Sequence, residues 1–122
     1  MAGTIQYSLN VNVTNGYYRD QIASGSQAIT QTNIGRGGHV ASIGTSEEVV
    51  SFGDVATNGY LYLRNLDATN FVEFGPESAG AMVSFGKLLA GEEAWIRLKP
   101  GVVMRAKADT AAVLLDVRLY EN

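Results

Sequence analysis

Between positions 4 and 13 the chain alternates without a break. Ile5, Tyr7, Leu9, Val11 and Val13 fall on one side, and Thr4, Gln6, Ser8, Asn10 and Asn12 on the other. A period of two is the mark of a strand, and an apolar row against a polar one predicts a half-buried strand. Asn15-Gly16 follows, a pair that accepts positive φ and predicts a tight turn. Positions 17–23 and 27–32 are expected as two further strands separated by Ser24-Gly25-Ser26, with a polar, glycine-rich loop over 33–38.

The remainder alternates in shorter runs. Strands are expected near 39–43, 48–52, 60–65, 71–74, 82–85, 94–98, 102–108 and 113–120. The breaks carry turn chemistry, namely Thr57-Asn58-Gly59, Asn65-Leu66-Asp67, Gly75-Pro76, Ala90-Gly91 and Lys99-Pro100-Gly101. No stretch sustains the i, i+3, i+4, i+7 spacing of a helix. Many short strands with frequent turns predict an all-β fold: an antiparallel β-sandwich, jelly-roll-like, as a single domain over 1–122. In the last two strands Met104, Ala106 and Ala108, then Val113, Leu115, Val117 and Leu119, form inward rows. If these strands pair with each other, Arg105 and Lys107 lie across from Asp116 on the outer face.

Composition narrows the possible functions. Apolar residues make up 46% of the 122 positions and charged ones 17%, which predicts a packed core. A net charge of −3 provides no basic surface for a phosphate backbone, so no nucleic-acid partner is expected. No apolar run reaches the ~18 residues that cross a bilayer. The first residues show neither a basic start nor an apolar core, so no membrane partner and no secretion signal are expected.

Charge is unevenly distributed. Positions 1–46 contain only Arg19, Asp20 and Arg36 as charged side chains. A long strand without charges at a sheet edge is open to pairing with another chain, unless it sits in mid-sheet where small polar residues suffice. The segment 1–46 is therefore a candidate for subunit contacts, with Gln6, Ser8, Asn10 and Asn12 as candidate interface residues.

Candidate chemistry is sparse. There is no Cys, His39 is the only histidine, and no G-x-S-x-G elbow is present. Glycines 80 and 86 before Lys87 miss the phosphate-loop spacing, and Leu88 stands where the metal-binding hydroxyl belongs. Gly35-Arg36-Gly37-Gly38-His39 is a candidate anion nest or a flexible loop. Glu47-Glu48 and Glu92-Glu93 are neighbours in sequence, so each pair points to opposite faces of a strand and makes no acid/base couple. No catalytic, metal or cofactor-binding residue is expected, and the chain is not expected to be an enzyme. Trp95, Tyr60 and Tyr62 are a candidate aromatic contact, either a stacking platform for sugar rings or a packing surface for a partner.

One resemblance emerges from the second half. The run from Tyr60-Leu61-Tyr62-Leu63 through Phe71-Val72-Glu73-Phe74-Gly75, with Lys87-Leu88-Leu89-Ala90-Gly91-Glu92, Ile96-Arg97-Leu98-Lys99-Pro100-Gly101 and Ala106-Lys107-Ala108-Asp109-Thr110, resembles small tailed-phage virion proteins of jelly-roll type, either capsid-decoration or tail-associated. The resemblance covers 59–121 and rests on turn-and-strand patterns, not on a catalytic signature. It implies a structural component of a bacteriophage particle, most concretely a capsid-decoration (cement) protein clamping neighbouring shell subunits. The implied partners are copies of itself, with a trimer expected, and the major capsid or another virion protein. The implied location is the virion, assembled in the host cytoplasm. The alternatives are a tail or head–tail junction protein and a carbohydrate-binding β-sandwich module. The turns near 89–92 and 99–101 also resemble those of cupin barrels, whose metal site a chain with one histidine cannot build.

Overall fold

The structure is a computed structural model in which residues 3–33 and 35–122 are described. Every regular element among them is a strand, paired antiparallel. The chain divides into two compact units, Met1–Ile34 and Gly35–Asn122. The expected sandwich forms within the second unit, and the first is a hairpin by itself.

In the hairpin, β1 (Gly3–Asn15) pairs with β2 (Tyr18–Gln31) from Gly3 opposite Gln31 to Asn15 opposite Tyr18. The loop is Gly16-Tyr17, one residue later than the Asn15-Gly16 expectation. Gly16 alone has positive φ there, at 60°, which meets the need of the first central position of a II′ turn. Ser24-Gly25-Ser26 does not break the second strand. Ser8 pairs with Ser26 and Asn10 with Ala23, so β2 absorbs one extra residue as a bulge. Gly25 takes φ 68°, and the Leu9 amide donates to the Ser24 hydroxyl over 3.0 Å. Turn-forming residues thus serve a bulge here, because the strands on both sides continue to pair.

The half-buried expectation for this strand holds at Ile5, Tyr7 and Val11, which are half-buried, and fails at Leu9 and Val13, which are exposed. Neither β1 nor β2 pairs with any other described strand, and none of their side chains is buried. The mid-sheet alternative is thereby excluded. Leu9 is 51% exposed and Ile22 50%.

The second unit contains β3 (Arg36–Gly37), β4 (Val40–Ile43), β5 (Glu48–Val49), β6 (Asn58–Asn65), β7 (Val72–Ser78), β8 (Ala81–Met82), β9 (Gly86–Leu88), β10 (Glu93–Arg97), β11 (Met104–Ala108) and β12 (Val113–Glu121). One sheet has the order β10-β6-β12, with β3 and β4 sharing the outer edge of β12. The other has the order β5-β11-β7, with β8 and β9 sharing the outer edge of β7. Each pair of short strands is one edge strand with an interruption. Between β3 and β4 the interruption is Gly38, at φ 101°, where a Cβ would run into the Val117 carbonyl. With each interrupted edge counted as one strand, successive positions alternate between the sheets except that β7 is followed by β8 and β9 in its own sheet, the winding of a jelly roll.

One core fills the space between the sheets. Leu61, Leu63, Val113, Leu115, Val117 and Leu119 come from the first sheet, and Val72, Phe74, Met104, Ala106 and Ala108 from the second. Strict alternation produces these rows: β12 reads buried at every odd position from Val113 to Leu119. The inward rows expected of the last two strands are therefore correct, but their pairing is not. The turn after Ala108 crosses from sheet to sheet, so β11 joins β5 and β7 while β12 joins β6, β3 and β4. Arg105 consequently meets Glu77 at 2.9 Å, and Asp116 meets Arg118 at 3.2 Å.

Two glycines that each follow a phenylalanine, Gly75 and Gly86, are required by packing. A Cβ at Gly75 would collide with the Val83 carbonyl, and one at Gly86 with the Phe74 ring. The expected 33–38 loop is also partly strand, since Arg36 and Gly37 pair with Tyr120 and Leu119. Gly37 is required because the Phe52 carbonyl and the Val55 side chain pass against it. This stretch is accordingly a sheet edge at Arg36 and Gly37.

Candidate functional site

On the hairpin, strand alternation separates two surfaces. Gln6, Ser8, Asn10 and Asn12 share one face, opposite Ala28, Ser26, Ala23 and Gln21, and all four are exposed. The reverse face carries Ile5 opposite Ile29, Tyr7 opposite Gln27, Val11 opposite Ile22 and Val13 opposite Asp20, with Leu9 in the same row. The sequence expectation named the polar face because the apolar one was assigned to a core. In the structure the polar face is exposed, and the apolar one is half-buried at Ile5, Tyr7, Val11 and Ile29 and exposed at Leu9, Val13 and Ile22.

The aromatic residues occupy the outward face of the β10-β6-β12 sheet, opposite the side that sends Leu61 and Leu63 into the core. Register places Arg97 beside Tyr60, and Trp95, Tyr62 and Arg118 in one row across three strands. The next row is Glu93, Arg64 and Asp116. Trp95 stacks on Tyr60 with ring centroids 4.8 Å apart and planes 13° from parallel, and the Arg97 guanidinium lies 4.6 Å from the Tyr60 centroid. Tyr120 approaches Trp95 at 6.1 Å. The structure thus unites Trp95, Tyr60 and Tyr62, as the sequence anticipated. It also adds Tyr120, Arg97 and Arg118, whose strand registers the sequence does not reveal.

Polar groups lock this face. The Tyr62 hydroxyl donates to Glu93 over 2.6 Å, and burial, then that carboxylate, raise the phenol above its ordinary pKa. Arg118 donates to both oxygens of Asp116, at 3.3 and 3.2 Å, which raises the guanidinium pKa further. A shallow depression of about 320 Å³ is lined by Tyr62, Arg64, Leu66, Trp95, Asp116, Arg118 and Tyr120. It offers stacked rings and paired charges, with no nucleophile beside a base.

A second recess, of about 180 Å³ and wholly apolar, is lined by Phe74, Pro76, Phe85, Ile96, Leu98, Val102 and Met104. Ile96 faces this recess and is exposed, although the alternation with Leu98 would bury it. On the outer face of the other sheet Arg105 donates to Glu77 at 2.9 Å and stands 4.0 Å from Glu47. Among the described residues no group of three His, Cys, Asp or Glu side chains converges on a point, and His39 lies exposed beside β4.

No protein-family model, curated protein or solved structure matched this chain in comparison.

Proposed function

We propose that the protein is a structural subunit of a tailed-phage particle, most concretely a capsid-decoration protein that acts as a homo-oligomer and clamps neighbouring shell subunits. One observation carries the proposal. A hairpin of 13- and 14-residue strands, charged only at Arg19 and Asp20, pairs with no other described strand and has no fully buried side chain in either strand. An isolated two-stranded ribbon is marginal in water, so a ribbon of this length acquires its stability from what it contacts. Uncharged Gln, Ser and Asn side chains suit that contact, because unpaired ions buried in an interface cost far more than amides and hydroxyls that find hydrogen bonds.

The jelly roll adds support by analogy, since capsid proteins use this fold among other classes. So does the resemblance over 59–121. Each copy needs only modest affinity, because symmetric placement raises the effective concentration of its neighbours. Co-sedimentation of the purified chain with assembled shells tests the role: saturable binding is expected, and a chain that stays in the supernatant at every concentration refutes it. Reconstruction of the particle separates a capsid position from the tail or head–tail junction.

The carbohydrate alternative draws on the Trp95 face. There the rings stack on each other and under Arg97, so the Tyr60 ring is engaged within the protein. Titration of Trp95 fluorescence with a glycan panel tests it, and a saturable change would favour it over the virion role.

A further inference from the structure

We infer that the apolar row of the hairpin is an interface between copies of this chain, in which three hairpins close into a six-stranded antiparallel barrel with Leu9, Val11 and Ile22 inside. The inference goes beyond the virion role and does not depend on it, since the barrel can close with no shell present.

The occupant follows from area, edges and charge. At ~3.4 Å per residue and ~4.8 Å between strands, the ribbon is about 44 Å long and 10 Å wide, so one face covers roughly 440 Å². A stable interface buries about 800 Å² per partner, so two ribbons laid face to face reach only half of what is needed. The shortfall is made up at the edges. The outer edges of β1 and β2 pair with no other described strand. They contain no proline, and their only charged side chains are Arg19 and Asp20. Nothing in them blocks edge pairing.

A ring satisfies both edges of every copy at once. With all hairpins pointing the same way about one axis, β2 of each copy runs antiparallel to β1 of the next, so the ladder closes on itself. Closure leaves no free edge and encloses the row that is now half exposed. A two-copy barrel of four strands has no interior for branched side chains, which makes three the smallest ring. The adjacent Arg19 and Asp20 cancel, so copies do not repel, and Asp20, opposite Val13 near the turn, lies at the barrel mouth. A foreign partner selected by charge finds nothing else on this row to recognise.

The test uses the full chain. Sedimentation should give three copies, falling to one in the Val11→Asp, Ile22→Asp double variant, while the unfolding transition reported by Trp95 is kept. Because the chain lacks cysteine, Val11→Cys provides an independent reading. Oxidation should join two of the three copies in each ring through Cys at position 11, leaving about a third of the monomer band, whereas Asn12→Cys, which points to the opposite face, should keep its monomer band. A wild-type mass of one or two copies overturns the barrel. So does a trimer that survives both aspartates, or equal cross-linking from positions 11 and 12. Failure to bind shells by a chain that passes these tests would count against the virion role alone.

Discussion

The side-chain amide of Asn65 donates to the carbonyl of Leu88 over 3.1 Å, joining the end of β6 in one sheet to β9 in the other. The same amide donates to the Asn70 carbonyl at 2.8 Å, and its oxygen accepts from the Asp67 amide at 2.9 Å. Asn65 is wholly buried, one of two buried polar residues among the described residues, and its hydrogen bonds explain why it can be there.

Asn65→Leu should therefore destabilise the sandwich by about 2 kcal/mol, because it strands the buried Leu88 carbonyl and leaves the part-buried Asn70 carbonyl and Asp67 amide without their partner. Denaturant unfolding with an unchanged slope measures it. A loss under about 0.5 kcal/mol, the size of an ordinary surface substitution, would show that these bonds are dispensable.

Asp67 adds a pH dependence to the same turn. Its carboxylate accepts from the Asn70 amide at 2.6 Å and the Thr69 amide at 3.0 Å, and these bonds, Asn70 first, hold its pKa below the ordinary 3.8. A depressed carboxylate pKa stabilises the fold above the unfolded value and loses that contribution as pH falls through the folded one. Asp67→Asn should melt below the wild type at pH 7, with the gap closing as the pH drops below 3.8. A gap that is constant with pH would assign the effect to shape and not to charge.

Arg105 clamps the outer face of the second sheet between Glu77 and Glu47 with its side chain 18% exposed. Arg105→Ala should cost about 1–3 kcal/mol, and a double-mutant cycle with Glu77→Ala should recover a coupling of about 1 kcal/mol. Arg105→Lys should rescue only part of it, since an ammonium cannot span two carboxylates as a guanidinium does. Full additivity in the cycle would mean that the pair contributes nothing.

Asn10→Lys and Asn12→Lys, on the exposed polar face of the hairpin, should leave the unfolding of the sandwich within about 0.5 kcal/mol of wild type. They should keep the oligomer, whose contacts lie on the opposite face, yet lower affinity for assembled shells at least tenfold by bringing an ammonium into a contact built for amides. Unchanged shell binding would remove Gln6, Ser8, Asn10 and Asn12 from the interface.

Much of the second unit is legible residue by residue. Strict alternation in Val113 to Leu119 and in Met104 to Ala108 identifies the buried side of each strand, because successive side chains must leave opposite faces. The same rule places Tyr60 and Tyr62 on one face, while the pairing of β10 with β6 brings Trp95 to them. The completion of this group by Tyr120 does not follow from that rule, since a bulge between Leu119 and Glu121 sets where that ring falls. Asn65 reads as an ordinary turn residue, and burial alone gives it a different role.

The amino-acid order by itself determines that this protein is made of strands, which side of each is apolar, and that its first third is nearly without charge. Those properties are local: they depend on side-chain chemistry and a two-residue period. Which strands pair, and what lies over each apolar row, is decided only in three dimensions. The rows of β1 and β12 alternate alike in sequence, yet the β12 row is buried under a facing sheet while the β1 row is at most half-buried. Alternation specifies a face to be covered and contains nothing about the distant segment, or the other copy, that covers it.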